Sequence, residues 1–217
     1  MIKKNHVEAF FNEMPFAEFL NAAASRSHVP GGGSVAASAG ALGASMGAMV
    51  ARLTLGKEGY EACQEQTESL AQSFTAAVAG FQRLAGEDML AFDALMAALR
   101  MPKSEPEEIA ARDAATGEAA YRAIDVPLQM GQLASRLLAE NERLASFANA
   151  GAVSDCAVAA IILEAAARAS LVSVDVNLPL VRDNRRRGLA LEAQKQILKG
   201  LPDAVERTLA TVKARTR

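Results

Sequence analysis

Along nearly the whole chain the apolar residues recur at helical spacing, and strand-like alternation is almost absent. Phe16, Phe19, Leu20 and Ala23 mark a short amphipathic helix, and that segment ends at Pro30. A second helix is predicted from about Ser34 to Leu55, closing at Gly56, and a third, the longest, from about Glu58 to Arg100. The stretch MPKSEPEEIA then interrupts, with Ser104 and Glu107 fitting a capping box for the next helix. That helix meets Pro127, where a kink or break is expected, because proline has no N–H to give and crowds the preceding turn. Another helix begins near Val153 and stops before Pro179, and a last one runs from about Arg186. No linker, repeat or low-complexity tract divides these elements. The expected fold class is all-α, with residues 1–217 as a single domain: a multi-helix bundle containing one very long helix.

Within the third helix Tyr60, Thr67, Phe74, Phe81, Asp88 and Leu95 recur every seven residues. Cys63, Leu70, Ala77, Leu84, Ala91 and Ala98 follow three residues after them. Such a repeat is the seam of a bundle helix roughly 60 Å long. Asp88 places a carboxylate in that apolar stripe, one turn from Phe92. In NAGAVSDCAVAAIILEAAARA, Asp155 falls in line with Ala159, Ile162 and Ala166. Both acids are expected to face inward, where a carboxylate must be paired, hydrogen-bonded or protonated. Each has a structural reading too. Asp155 lies near a helix start, which favours an acid, and Asp88 can serve as partner to an arginine of another helix. Two inward acids in one small bundle tip the balance toward a site.

Composition removes several classes of function. A formal net charge of −2 offers no basic face for nucleic acid, and none is expected as a partner. Cys63 and Cys156 sit in apolar helical surroundings and read as small buried hydrophobes. His6 and His28, the only histidines, share no ligand spacing with them, so no metal site is expected. The opening MIKKNHVEAFF has no apolar run of signal-peptide length, and the expected location is cytoplasmic. There is no Trp, and a core rich in Ala requires helices that pack closely.

The stretch HVPGGGSVAASAGALGASMGAMVARLT, His28 to Thr54, admits three readings. A phosphate loop needs a lysine soon after the glycines, and none follows before Lys57. A membrane span is disfavoured because Ala, Gly and Ser give little transfer energy, so no membrane partner is expected. The reading that fits is a helix of small residues, Ala36, Gly40, Gly43, Ala44 and Gly47, built for close approach by a neighbour. Before it, Gly31, Gly32 and Gly33 permit unusual backbone conformations and Ser34 is placed to cap the helix. Free amides at such a helix start suit an anion or the polar edge of a heterocycle, although an ordinary glycine turn would look the same.

PGGGSVAASAGALGASMGAMVARLT, GEDMLAFDALMAALRMPK, DVPLQM, NAGAVSD and VDVN follow one another in the order and spacing of a known family. Over about residues 15 to 185 the chain resembles the cyclodeaminase/cyclohydrolase family, which includes the C-terminal domain of formiminotransferase-cyclodeaminase and stand-alone methenyltetrahydrofolate cyclohydrolases. The resemblance implies an all-α homodimer with a folate pocket near the subunit interface, and no metal or redox cofactor, the tetrahydrofolate derivative being the substrate. The motif positions are Gly31, Gly32, Gly33, Ser34, Thr54, Lys57, Asp88, Lys103, Asn149, Ser154, Asp155 and Asn177. Two positions depart from the family pattern: Ser173 stands where Asn is common, and Ala148 where Gly is common.

From this resemblance, Asp88 and Asp155 are expected to flank the methenyl bridge, one activating water and the other steadying the cation. Lys103 is expected to orient the intermediate's oxygen or hold a carboxylate. Gly31, Gly32, Gly33, Ser34, Asn149, Ser154 and Asn177 are expected to bind substrate and Lys57 to attract its glutamate tail, whereas Arg185-Arg186-Arg187, which could do the same, reads first as a solvated charged face. Hydrolysis of methenyltetrahydrofolate comes first, since no formiminotransferase module accompanies the domain; formiminotetrahydrofolate cyclodeamination and non-catalytic folate binding are the alternatives.

Overall fold

A computed structural model describes residues 14–216. The MIKKNHVEAFF stretch and His6 lie outside the described residues. The described residues form seven α-helices: α1 Phe16–Ala23, α2 Gly32–Thr54, α3 Gln64–Leu99, α4 Pro106–Phe147, α5 Ser154–Asn177, α6 Asn184–Leu198 and α7 Leu201–Arg215. Short 3-10 turns occupy Glu61–Cys63 and Leu178–Leu180, and no strand occurs among the described residues.

Helices α2, α3, α4 and α5 form an up-down-up-down bundle in which each packs on two neighbours, while α6 and α7 lie against α4 and α5. Cross-helix contacts trace the antiparallel course. Ser73 Oγ donates to Glu140 Oε2 (2.6 Å) between α3 and α4, and Asn141 Nδ2 donates to the Cys156 carbonyl (2.8 Å) between α4 and α5.

The α2–α3 contact has a seven-residue register. Gly33, Gly40 and Gly47 of α2 stand opposite Asp88, Phe81 and Phe74 of α3. A Cβ at Gly47 would lie 2.6 Å from Phe74 Cε1, and Cβ atoms at Gly40 and Gly33 would overlap the Phe81 ring and the Asp88 carboxylate. On another side of α2, a Cβ at Gly43 would lie 2.9 Å from Leu163 Cγ of α5. The small-residue helix is therefore a set of holes for knobs on two neighbours, as its composition predicts. Phe74, Phe81, Leu84 and Leu95 of the α3 seam are fully buried, whereas Asp88 is only half-buried.

Four sequence expectations need correction. The capping box is Glu105 with Glu108, not Ser104 with Glu107: Pro106 takes the first helical position and Glu105 the extended cap conformation. Pro127 does not interrupt α4, which runs unbroken for 42 residues and exceeds the 36 of α3, so there are two very long helices. The carbonyl that Pro127 frees, that of Ala123, instead receives Asn177 Nδ2 at 3.5 Å. The C-terminal segment is two helices, because Gly200 takes φ +78° and Pro202 starts a new one. Finally, α3 begins at Gln64, after turns at Gly56 (φ +66°) and Gly59 (φ +85°).

Cys63 and Cys156 are both free thiols. Burial pushes the Cys156 thiol up to about 12, leaving it an uncharged apolar group. By length and composition Gly32–Thr54 and Ser154–Leu180 could each cross a membrane, with mean hydropathy 1.4 and 1.8; in the fold they pack on one another and on α3 and α4.

Substituting Gly47→Ala is expected to lower stability by about 1–3 kcal/mol, since the added methyl overlaps the Phe74 ring. Gly188→Ala, in α6 with nothing within 4 Å of the new Cβ, is expected to raise it by about 0.5–1 kcal/mol. Urea denaturation midpoints of the two variants check the contrast.

Candidate active site

The register that seats Phe74 and Phe81 carries Asp88 to Gly33, in the first turn of α2. There it borders a cavity of ≈ 340 Å³ whose walls include Gly31 to Ser34, Phe92, Ser173 and Asn177. Among the described residues Asp88 makes no ion pair and no hydrogen bond, so the arginine partner open to it in the sequence is absent. Burial raises its pKa from 3.8 to about 6.

Gly31, not Ser34, is the N-cap of α2, and no side chain caps this helix. The amides of Gly32, Gly33 and Ser34 belong to the first turn and have no intrahelical acceptor. Ser34 itself is fully buried in the cavity wall, and its hydroxyl has no partner among the described residues. Asn177 donates both Nδ2 protons to carbonyls, of Ser173 (2.9 Å) and Ala123 (3.5 Å), which leaves Oδ1 as an acceptor. One cavity thus holds a carboxylate, unused backbone donors, an unpaired hydroxyl and an amide oxygen.

His28 and Phe92 form a tilted ring pair on the same wall, with centroids 6.5 Å apart. Sequence reasoning missed both as site residues. The signal for Phe92 was its place one turn from Asp88; for His28 it was adjacency to the glycine stretch.

The other expected site residues lie elsewhere. Thr54, Asn149 and Tyr60 meet at the opposite end of α2, about 33 Å away along a helix of this length. Asn149 is bonded there through its backbone N–H and both polar atoms of its side chain. Its N–H donates to Thr54 Oγ1 (2.9 Å), its Nδ2 to the Leu53 carbonyl (2.9 Å), and its Oδ1 accepts from the Gly151 N–H (3.0 Å). Ser154 and Asp155 begin α5 beside this clasp, exposed and half-buried respectively, and Lys57 is exposed after α2. Asp88 and Asp155 therefore do not flank one space within a single chain, because α3 and α5 contribute opposite ends of the bundle. Lys103 is exposed beyond the end of α3 and does not border the Asp88 cavity. Arg186 is engaged, donating to Glu118 Oε2 (2.7 Å) with its guanidinium 4.2 Å over the Tyr121 ring. No group of three or more His, Cys, Asp or Glu set to hold a metal ion occurs among the described residues.

Fold and site together define a helical-bundle protein with an unpaired carboxylate set against the start of a glycine-rich helix. The chain belongs to the formiminotransferase-cyclodeaminase family, whose sequence profile matches residues 15–196. It is 35% identical to the methenyltetrahydrofolate cyclohydrolase of Methylorubrum extorquens over 207 residues, covering 91% of this chain and 95% of that one. It is also 35% identical over 166 residues, 76% of its length, to the formimidoyltransferase-cyclodeaminase of Rattus norvegicus. The chain spans about a third of that relative, 31%. A crystal structure of formiminotetrahydrofolate cyclodeaminase from Thermotoga maritima superposes with a TM-score of 0.84 at 28% identity, covering 94% of this chain and 98% of that one.

The raised Asp88 pKa has a consequence for stability. A carboxyl that titrates near 6 when folded and near 3.8 when unfolded holds its proton more tightly in the folded state, so ionisation between those values destabilises the fold. Asp88→Asn is therefore expected to raise stability at pH 8 by on the order of 2–3 kcal/mol, the gain shrinking toward zero as pH falls to about 4. Denaturant unfolding of both proteins across this range measures it; equal stability at pH 8 would show that ionised Asp88 costs the fold nothing.

Proposed function

We propose that this protein is a methenyltetrahydrofolate cyclohydrolase, converting 5,10-methenyltetrahydrofolate to 10-formyltetrahydrofolate. The observation that carries the reading is the nearly end-to-end similarity to the Methylorubrum extorquens enzyme of that name, with Asp88 as the group able to do the chemistry. In the substrate one carbon joins two nitrogens within a cation. Water adds to that carbon while ionised Asp88 takes its proton. Asp88 returns that proton to the ring nitrogen N5 as the bond from N5 to the carbon breaks, the added hydroxyl gives its own proton to solvent, and the carbon remains on N10 as a formyl group. A carboxyl titrating near 6 is a base at neutral pH and, once protonated, an acid able to return the proton. Its negative charge also steadies the cation before attack. The first-turn amides of α2 and the Ser34 hydroxyl suit the polar edge of the pterin, and Asn177 Oδ1 accepts from its N–H groups. The folate derivative is the substrate, and no resident cofactor enters this scheme.

Formiminotetrahydrofolate cyclodeamination is the second reading, favoured by the Thermotoga maritima structure. It uses the same pocket with ammonia as the leaving group.

In this reading the protein works as a homodimer. α2 exposes Val35, Leu42 and Leu53, and its neighbour α5 exposes Val158, Ile161, Val172 and Val176. These fall on outward stripes of both helices, an apolar face suited to a second copy. A two-fold axis across the middle of α2 sets it antiparallel to its copy. Asp155, Ser154 and Lys57 of one chain then lie over the Asp88 cavity of the other, and the two acids flank the substrate across the interface.

Asp88→Asn is expected to lower kcat by about 10²–10⁴-fold with methenyltetrahydrofolate, followed by loss of its near-ultraviolet absorbance. In the unsubstituted protein kcat/KM should rise with pH through about 6, because the base must be ionised, and the variant should lose this rise. Ammonia release from the formimino derivative, with methenyltetrahydrofolate left intact, would select the cyclodeaminase. Co-expressed Asp88→Asn and Asp155→Asn chains should recover about a quarter of full activity through mixed dimers holding one intact site; no recovery would place each site within one chain.

A further inference from the structure

The Asp88 cavity does not end at Phe92. His28, Val29 and Phe92 also wall a second cavity of ≈ 540 Å³, which continues along α3 past Asp93 and Met96 to Arg100. Asp88, Phe92, Met96 and Arg100 follow one another at single-turn spacing, so the two cavities form one trough along a ridge of α3. The chemistry changes in order along it. The carboxylate and free amides lie at the inner end, the His28–Phe92 ring pair and the Met96 thioether follow, and a guanidinium lies at the outer end. Arg100 is exposed and makes no side-chain hydrogen bond or ion pair among the described residues, including with Asp93, the other charge in the outer trough.

We infer that this trough holds the aminobenzoyl-glutamate part of the substrate, with Arg100 as the anchor for its carboxylates; the inference rests on the folate reading above. A flat aryl ring suits the wall of His28, Phe92 and Met96. A guanidinium suits a carboxylate through two parallel hydrogen bonds. The lengths agree: Arg100 lies about 18 Å beyond Asp88 along the helix, and a side chain leaning back toward the helix start leaves roughly 10–12 Å for the aryl ring and glutamyl group. Within one chain Lys57 and the run Arg185 to Arg187 border neither cavity.

The test compares 5,10-methenyltetrahydrofolate with 5,10-methenyltetrahydropteroate, which lacks the glutamate, on the full-length protein. The unsubstituted protein should prefer the glutamyl substrate. Arg100→Ala should raise KM for that substrate roughly tenfold at unchanged kcat, leave the pteroate nearly unaffected, and so abolish the preference. Arg100→Lys should restore part of it. An unchanged preference in Arg100→Ala, equal losses on both substrates, or loss of the preference in Lys57→Ala instead would each overturn the assignment. Turnover of neither of these substrates, nor of the formimino derivative, by the unsubstituted protein would overturn the folate reading itself, and this inference with it.

Discussion

The site depends on one packing constraint, the seven-residue register between the glycines of α2 and the seam of α3. Without side chains at Gly40 and Gly47 the two backbones approach closely enough for Phe81 and Phe74 to sit in the vacated space. Seating those two rings fixes α3 lengthwise and in rotation, so the next residue of the same heptad, Asp88, must meet Gly33. Each buried ring contributes about 3 kcal/mol, which together outweighs the roughly 3 kcal/mol cost of an ionised Asp88 at neutral pH. The carboxylate therefore stays beside the start of α2 because hydrophobic packing one and two heptads away holds it there. The third side chain facing the α2 glycines is a chemical group where packing alone would favour another apolar one.

A second local rule is broken at the same cavity. Pro127 lies inside α4 with its ring buried, and it leaves the carbonyl of Ala123 without an intrahelical donor. Ala123 borders the cavity, and its carbonyl takes one of the two Nδ2 protons of Asn177. With the other proton on the Ser173 carbonyl, the amide orientation is set and its oxygen is left as an acceptor. A proline that breaks the rule for helix interiors thus orients a cavity group at the far end of the next helix in the sequence.

Most of the fold was legible because its signals are local. The α3 heptads, the small-residue α2 and the stops near Gly56, Arg100 and Pro179 all follow from composition within a few turns. What was not legible depended on partners. Pro127 reads as a break in isolation, and only packing on both sides keeps α4 continuous. The change from one C-terminal helix to two hung on Gly200 and Pro202, a short punctuation that the charged pattern around it obscured. In the site, the inward position of Asp88 followed from its heptad. Asp155 satisfied the same periodicity test on α5, yet the test gives the face of a helix and not its end. Direction along the bundle axis needs the chain reversals, and these place Asp155 and Asp88 at opposite ends.

Spent hydrogen-bonding capacity separates the motif residues that build the fold from those that carry chemistry. Asn149 uses its amide N–H, side-chain nitrogen and side-chain oxygen to tie the turn before α5 to the end of α2, and Thr54 both donates to Val50 and accepts from Asn149. Their identities are accounted for by holding two helix ends together. Ser34 and Asp88 are the reverse: one is fully buried with an unpaired hydroxyl, the other is an acid without a partner, and both border the same cavity. A buried hydroxyl left unbonded costs about 1–3 kcal/mol, and an ionised carboxylate at least as much. Neither cost is offset by a hydrogen bond or ion pair among the described residues, so both groups have their hydrogen bonds to make with what enters the cavity. The cost falls where a ligand can relieve it, which is why the α2 end containing Asp88 is the reacting end and the Asn149 end a support.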